Sequence, residues 1–274
     1  MRVIDLLHLG RERVIGSYEV DDVLIDPGPS SCLPTLLDAL AGRRPRALLL
    51  THVHLDHAGA TGSLVERWPD LDVYVHELGA RHVIDPSRLI DSATRLSGDE
   101  MERLWGEMVP VPERNITVLA GGERLLGGSF EVAYTPGHAK HHVSFLHDGT
   151  AFAGDVGGIR IPPSSIALPP TPPPDIDIEA WHESIAVLRS WRPRRLAVSH
   201  FGVNDEADDQ LDQLDSRLDA WSRLARDGGH DAFVAGVHDA ICGDATGEQV
   251  LRYEQAAPVE QLYEGYERYW SKRD

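Results

Sequence analysis

Residues 48–60 read LLLTHVHLDHAGA, and the fold is decided there. The apolar run 47–50 reads as a strand. It breaks off into His52, His54, Asp56 and His57. Side chains two apart on an extended segment point to the same face, so His52 and His54 can grip one cation. Asp56 keeps that alternation, and His57 begins the turn into a helix predicted over 58–68, so both can address a second cation. Three imidazoles and a carboxylate within six residues fit a ligand set far better than surface decoration.

Further donors of the same kind occur downstream. A strand predicted over 130–134 runs into Thr135-Pro136-Gly137-His138, which places an imidazole on a turn. The strand 151–153 is followed by Gly154 and Asp155, and the strand 196–199 ends in His200. In α/β proteins ligands gather at the carboxyl ends of strands, where all these residues stand. Other strands are expected at 3–7, 20–25, 73–76, 116–119 and 142–146. Helices are expected at 33–40, 77–84, 99–107 and 177–191, with 85–98 read as turn-rich.

Length and composition narrow the class. A chain of 274 residues with 42% hydrophobic residues suits a globular α/β protein. No run is apolar enough to span a membrane, and the first residues lack a cationic-then-apolar leader. With Cys32 and Cys242 far apart, a disulfide framework is not expected, and a reducing cytoplasm fits. The formal net charge of −18 opposes phosphate backbones, which counts against a nucleic acid partner. A small-molecule substrate is expected instead, with neither nucleic acid nor membrane as partner. Part of the acidic excess falls on one amphipathic helix carrying Leu211, Leu214, Leu218, Trp221 and Leu224.

Two segments stand apart. Residues 161–175, IPPSSIALPPTPPPD, hold seven of the 18 prolines and read as a stiff, extended surface loop, either a linker arm or a wall overhanging a site. Beyond about Gly229 the chain reads as helical, and Tyr263, Tyr266, Tyr269 and Trp270 form an aromatic stripe. That stripe suits core packing or a subunit contact, which leaves a homodimer open.

The order HVHLDH, TPGHAKHH, AGD and SHFG resembles the metallo-β-lactamase-fold superfamily over residues 3–202. The resemblance implies a four-layer αββα sandwich over residues 1–204, with 205–274 as an appended helical segment. It also implies a dinuclear site. His52, His54 and His138 would bind the first metal, Asp56, His57 and His200 the second, and Asp155 would bridge them. Asp26, in LIDPGP, matches an early Asp that orients such a site, although an Asx turn also explains it. Two divalent ions are expected, with Zn first and Fe or Mn also compatible. A water shared between them becomes a nucleophile near neutral pH, with Asp56 as the catalytic carboxylate that orients it or takes its proton.

Within the superfamily, TPGHAKHHVSF looks most like glyoxalase II-like thioester hydrolases and acyl-homoserine lactonases, although His141 stands where those have Gly. Exported β-lactamases of the related class carry Cys where this chain has Asp155. RNA-processing members need a basic surface. The expected activity is therefore metal-dependent hydrolysis of an ester, thioester or lactone. A rival is a mononuclear iron enzyme resembling persulfide dioxygenases, with His52, His138 and Asp155 on the iron. A third reading is a metal-binding scaffold without catalysis.

Overall fold

A computed structural model of the chain describes residues 1–174 and 176–273. Asp175, the last residue of the proline-rich arm, and Asp274, the last of the expected helical segment, lie outside the described residues. The chain divides into two compact units, Met1–Glu123 and Arg124–Asp274.

The first unit is built on a six-stranded sheet in the order β1 (Arg2–Asp5), β2 (Gly16–Val20), β3 (Val23–Ile25), β4 (Ala47–Leu49), β5 (Asp72–His76) and β6 (Ile116–Leu119). β1 to β3 are antiparallel, and β3 to β6 run parallel. The helices α1 (Leu33–Leu40), α2 (Leu55–Ala58), α3 (Thr61–Arg67), α4 (Glu77–Ile84), α5 (Ser87–Ser97) and α6 (Met101–Leu104) supply the connections. β3 and β4 are buried at every residue, as parallel strands covered on both faces require.

The second unit carries its own six-stranded sheet, formed by β7 (Arg124–Leu125), β8 (Phe130–Tyr134), β9 (Val143–His147), β10 (Thr150–Phe152), β11 (Arg195–Val198) and β12 (Gly202–Asn204). Only β10 and β11 are parallel, joined by a crossover that contains α7 (Ile178–Ser190). Three helices follow: α8 (Ala207–Cys242), α9 (Glu248–Ala256) and α10 (Val259–Ser271). α8 breaks at Gly229, which has a φ of 73°. Leu211, Leu214, Leu218 and Trp221 on α8, Tyr253 on α9 and Leu262 and Tyr266 on α10 share one apolar core with Trp181 and Ile185 of α7. The aromatic stripe is therefore largely core.

The expected α/β class with a C-terminal helical segment is what the chain adopts. Several elements differ from the sequence reading. Residues 20–25 are not one strand: Val20 ends β2, Asp21 and Asp22 form a hairpin corner in which Asp21 takes a left-handed φ of 56°, and 23–25 are β3. The stretch 85–98 holds a helix, α5, none of whose residues is buried. The proline-rich arm is not a surface loop: Ile161, Ile166, Ala167 and Leu168 belong to the apolar core. Proline lacks an N–H, so such a segment has few donors to satisfy when buried. Asp244, Tyr253 and Gln213 accept from Ile161, Ser165, Ile166 and Ala167, and backbone carbonyls of residues 159 and 161 accept from Leu168 and Ser164.

Among the described residues no helix is long and apolar enough to cross a membrane. Both cysteines are free. Cys242 is exposed, whereas Cys32 is buried and burial pushes its thiol up to about 11.

Candidate metal centre

The first unit places four predicted donors beyond the end of β4. Parallel pairing sets the ends of β3 and β4 side by side, and Asp26 N–H, one residue past β3, donates to Leu49 O at 3.0 Å. Asp26 thereby lies beside the histidine motif, buried to 2% exposure. Its Oδ1 accepts from Thr51 N at 2.8 Å, and its Oδ2 accepts from Thr51 Oγ1 at 2.6 Å and pairs with His57 Nδ1 at 2.9 Å. A carboxylate on His57 Nδ1 holds the proton on that nitrogen and leaves Nε2 as the donor atom.

Thr51 extends the same device. Its hydroxyl proton is committed to Asp26, so its oxygen accepts from His52 Nδ1, 3.1 Å away. His52 Nε2 is then turned toward His54 Nδ1, 3.1 Å distant, with the two rings edge to face. Two nitrogens sharing a tetrahedral zinc at 2.0–2.1 Å stand about 3.3 Å apart, so the pair has the spacing of co-ligands. His57 Nε2 lies 3.5 Å from Asp56 Oδ2. His52 and His54 precede α2 and His54 is extended, as the alternation requires. Asp56 and His57 instead stand within α2, which starts at Leu55, earlier than the sequence reading placed the helix, so a helical turn and not the alternation aims them.

The second unit carries the other three predicted donors. β8 and β10 both run antiparallel to β9, and β10 runs parallel to β11, so all three release their following residues at one sheet edge. His138, Asp155 and His200 meet there, each almost fully buried. Asp155 Oδ2 is 3.4 Å from His138 Nε2 and its Oδ1 is 3.6 Å from His200 Nε2. These separations are long for direct hydrogen bonds and suit ligands around shared cations. The carboxylate faces one imidazole with each oxygen, the disposition a bridging ligand needs.

The turn carrying His138 is fixed by its neighbours. Gly137 has a φ of +136°, and a Cβ there would fall 2.5 Å from Trp181 Cα, so glycine is required. Asp177 N–H donates to Gly137 O at 2.8 Å, tying the turn to the start of α7. His142 is not placed as a ligand. It is buried, with Nδ1 2.9 Å from Thr135 Oγ1, and its Nε2 accepts from Val156 N–H at 3.5 Å, linking the His138 turn to the residue after Asp155. Lys140 is exposed, with its carbonyl accepting from the Tyr134 hydroxyl.

Two contributors escape the sequence reading. Thr51 stands inside the motif, and only its position between a strand end and His52 hints at its role. The other is the carbonyl of Pro170, 2.9 Å from His138 Nδ1. A backbone oxygen leaves no trace in residue type.

The model of the metallo-beta-lactamase superfamily matches residues 18–200, about two thirds of the chain, and the chain belongs to that superfamily. It is similar to a metallo-beta-lactamase fold-containing protein of Sulfurisphaera tokodaii, with 29% identity over 66% of this chain and 69% of that one. It is also similar to a hydroxyacylglutathione hydrolase of Xylella fastidiosa, with 32% identity over 48% of this chain and 40% of that protein. The chain thus spans well under half the length of that relative. Among solved structures, an archaeal metallo-beta-lactamase superfamily protein from Sulfolobus tokodaii superimposes with a TM-score of 0.64 at 25% identity, covering 75% of this chain and 81% of that one. TTHA1623, solved in a di-iron-bound form, gives 0.53 at 30% identity over 69% of this chain and 89% of that one.

Proposed function

We propose that the chain is a metal-dependent hydrolase with a dinuclear centre. His52, His54 and His138 would hold one ion, Asp56, His57 and His200 the other, and Asp155 would bridge them. The observation that carries the reading is the Asp155 carboxylate, which offers one oxygen to the His138 side and the other to the His200 side. The co-ligand spacing of His52 Nε2 and His54 Nδ1 supports it from the first unit. All seven donors are imidazole or carboxylate, which suits Zn, Fe or Mn, and the di-iron form of a 30% identical relative keeps iron in play.

When bound, two such ions activate a shared water and polarise the bond to be cleaved. The chain's own residues do the rest. Asp26 and Thr51 fix the tautomers of His57 and His52, so that both present Nε2 without rearrangement. Asp56 is 21% exposed beside fully buried His57, which leaves its carboxylate able to orient an attacking water and take its proton. The hydroxyacylglutathione hydrolases among the relatives support an acyl group transferred to water. The substrate class is therefore an ester, thioester or lactone of a small metabolite, and a cytoplasmic setting fits the chemistry.

The test is metal content of the freshly purified protein, together with turnover of a panel of carboxylic esters, thioesters and lactones. Two Zn, Fe or Mn ions per chain are expected. Hydrolysis of at least one class should be lost with chelator and reduced at least about 100-fold in Asp155→Ala. One iron per chain with sulfur-dependent oxygen uptake would replace this reading with an oxidase. Metal without turnover of any substrate would leave a scaffold.

A further inference from the structure

The described segment after Asp155 touches each donor of the second unit in turn. Past Asp155 the chain runs alongside His200, where Arg160 N–H donates to His200 O at 2.7 Å and Phe201 N–H donates back to Arg160 O at 3.1 Å. It then makes the proline-rich excursion, and a short antiparallel bridge between Ile159 and Leu168 closes it. Two residues past that bridge, the carbonyl of Pro170 meets His138 Nδ1 at 2.9 Å, both groups being buried. A carbonyl oxygen can only accept, so it places the His138 proton on Nδ1 and leaves Nε2, the atom facing Asp155, as a lone pair.

The C-terminal helices hold this excursion in place. Asp244, just beyond α8, accepts from Ser164 Oγ, from the N–H and hydroxyl of Ser165, and from Ile166 N. The Tyr253 hydroxyl of α9 accepts from Ile161 N at 2.9 Å and donates to Ile166 O at 2.8 Å. On α10, Leu262 O accepts from Thr171 Oγ1 at 3.1 Å. Gly265 packs so closely that a Cβ there would lie 1.7 Å from Thr171 O and 2.8 Å from its carbonyl carbon. Thr171 is the neighbour of Pro170, so α10 is in contact one residue away from the group that orients His138.

We propose that the helical segment after β12 is a jig for the metal centre: through the proline-rich arm it sets the tautomer and aim of His138, with Gly265 and Tyr253 as positioning residues. The proposal rests on the reading of His138 as a metal ligand and adds a determinant outside the superfamily match, which ends at residue 200. The arm suits such a role because prolines stiffen its backbone and remove competing N–H groups. Imidazole ligands depend on the partner of their second nitrogen for orientation and basicity.

The test uses the full chain loaded with Co(II). The exchangeable, paramagnetically shifted Nδ1–H signal of His138 is assigned by its loss in His138→Gln. The corresponding signal of His57, held by Asp26, serves as the internal reference. In Gly265→Ala the Cβ must push Thr171 aside. We expect faster solvent exchange or a shift of the His138 signal, an unmoved His57 signal, and a metal affinity, measured against a competing chelator, about 10–100-fold weaker. Tyr253→Phe, which removes only the hydroxyl, should move the same signal in the same direction and by less, and it decides the matter if Gly265→Ala does not fold. Wild-type signals and affinity in the folded variants would overturn the proposal. A wild type that takes up no cobalt would overturn the metal reading itself, a result visible before any variant is made.

Discussion

Asp26 shows how much one buried carboxylate can organise. It receives Thr51 N, Thr51 Oγ1 and His57 Nδ1 in a site with almost no exposure, and the imidazole of His52 hangs from the same threonine. Removing the acceptor strands buried donors, each costing on the order of 1–3 kcal/mol. Asp26→Ala is therefore expected to lower the unfolding free energy of the metal-free protein by several kcal/mol in urea titrations. It should also weaken metal binding, and unchanged values in both would contradict the arrangement. The proposed donors stand out in the sequence because residue types at such spacing follow from the coordination chemistry of a divalent cation. Thr51 and Pro170 do not. The first acts through a hydroxyl that many threonines never use, and the second through a carbonyl that every residue possesses.

Elements were legible where periodicity is strong. α1, α4, β6 and β8 fall where apolar spacing put them, and α7 begins one residue after its capping Asp177, whose carboxylate accepts from Ala180 N. What was missed lacked the usual signals. The β2–β3 corner turns at Asp21 and Asp22 rather than Asn-Gly, so the strand expected over 20–25 ran through the turn and residues 16–19 of β2 were not read as strand. No residue of α5 is buried, and the helix follows directly on Asp85-Pro86, punctuation that reads as a turn and outweighed its spacing. The arm was misplaced because proline density looks the same in a buried strap as in an exposed linker. Between α7 and α8 a clamp not visible to periodicity appears: His182 Nδ1 lies 2.6 Å from Asp215 Oδ1, and its Nε2 lies 3.1 Å from Asp219 Oδ1. Burial works against its protonation, yet the two carboxylates prevail and raise its pKa above the usual imidazole value. A raised folded-state pKa contributes stability fully below about pH 6.5, lost as pH climbs through the folded value. His182→Gln should accordingly cost more stability at pH 5.5 than at pH 8.5, measured by denaturant unfolding at both. An equal cost at the two pH values would mean that the clamp carries no proton-linked energy.

For the molecule as a whole, the charge of −18 sets what can approach it. Counterion release rewards cationic surfaces on polyanions, and this chain offers the opposite. It is expected to pass through a heparin column unretained at about 50 mM salt, and retention there would reveal a basic groove and reopen the nucleic acid question. The superfamily match ends before α8, yet α8, α9 and α10 share their core with α7 and grip the arm, so the last quarter of the chain is part of the second unit's architecture. The sheet topology carries a further consequence. Both sheets list their strands in the order of synthesis, β1 through β6 and β7 through β12. Every new strand therefore joins the free edge left by its predecessor, and none must be threaded between two already paired. Assembly can advance like courses of masonry from one border of each sheet to the other, so the entropic cost of bringing distant segments together falls mainly on the contacts between the arm and the final helices.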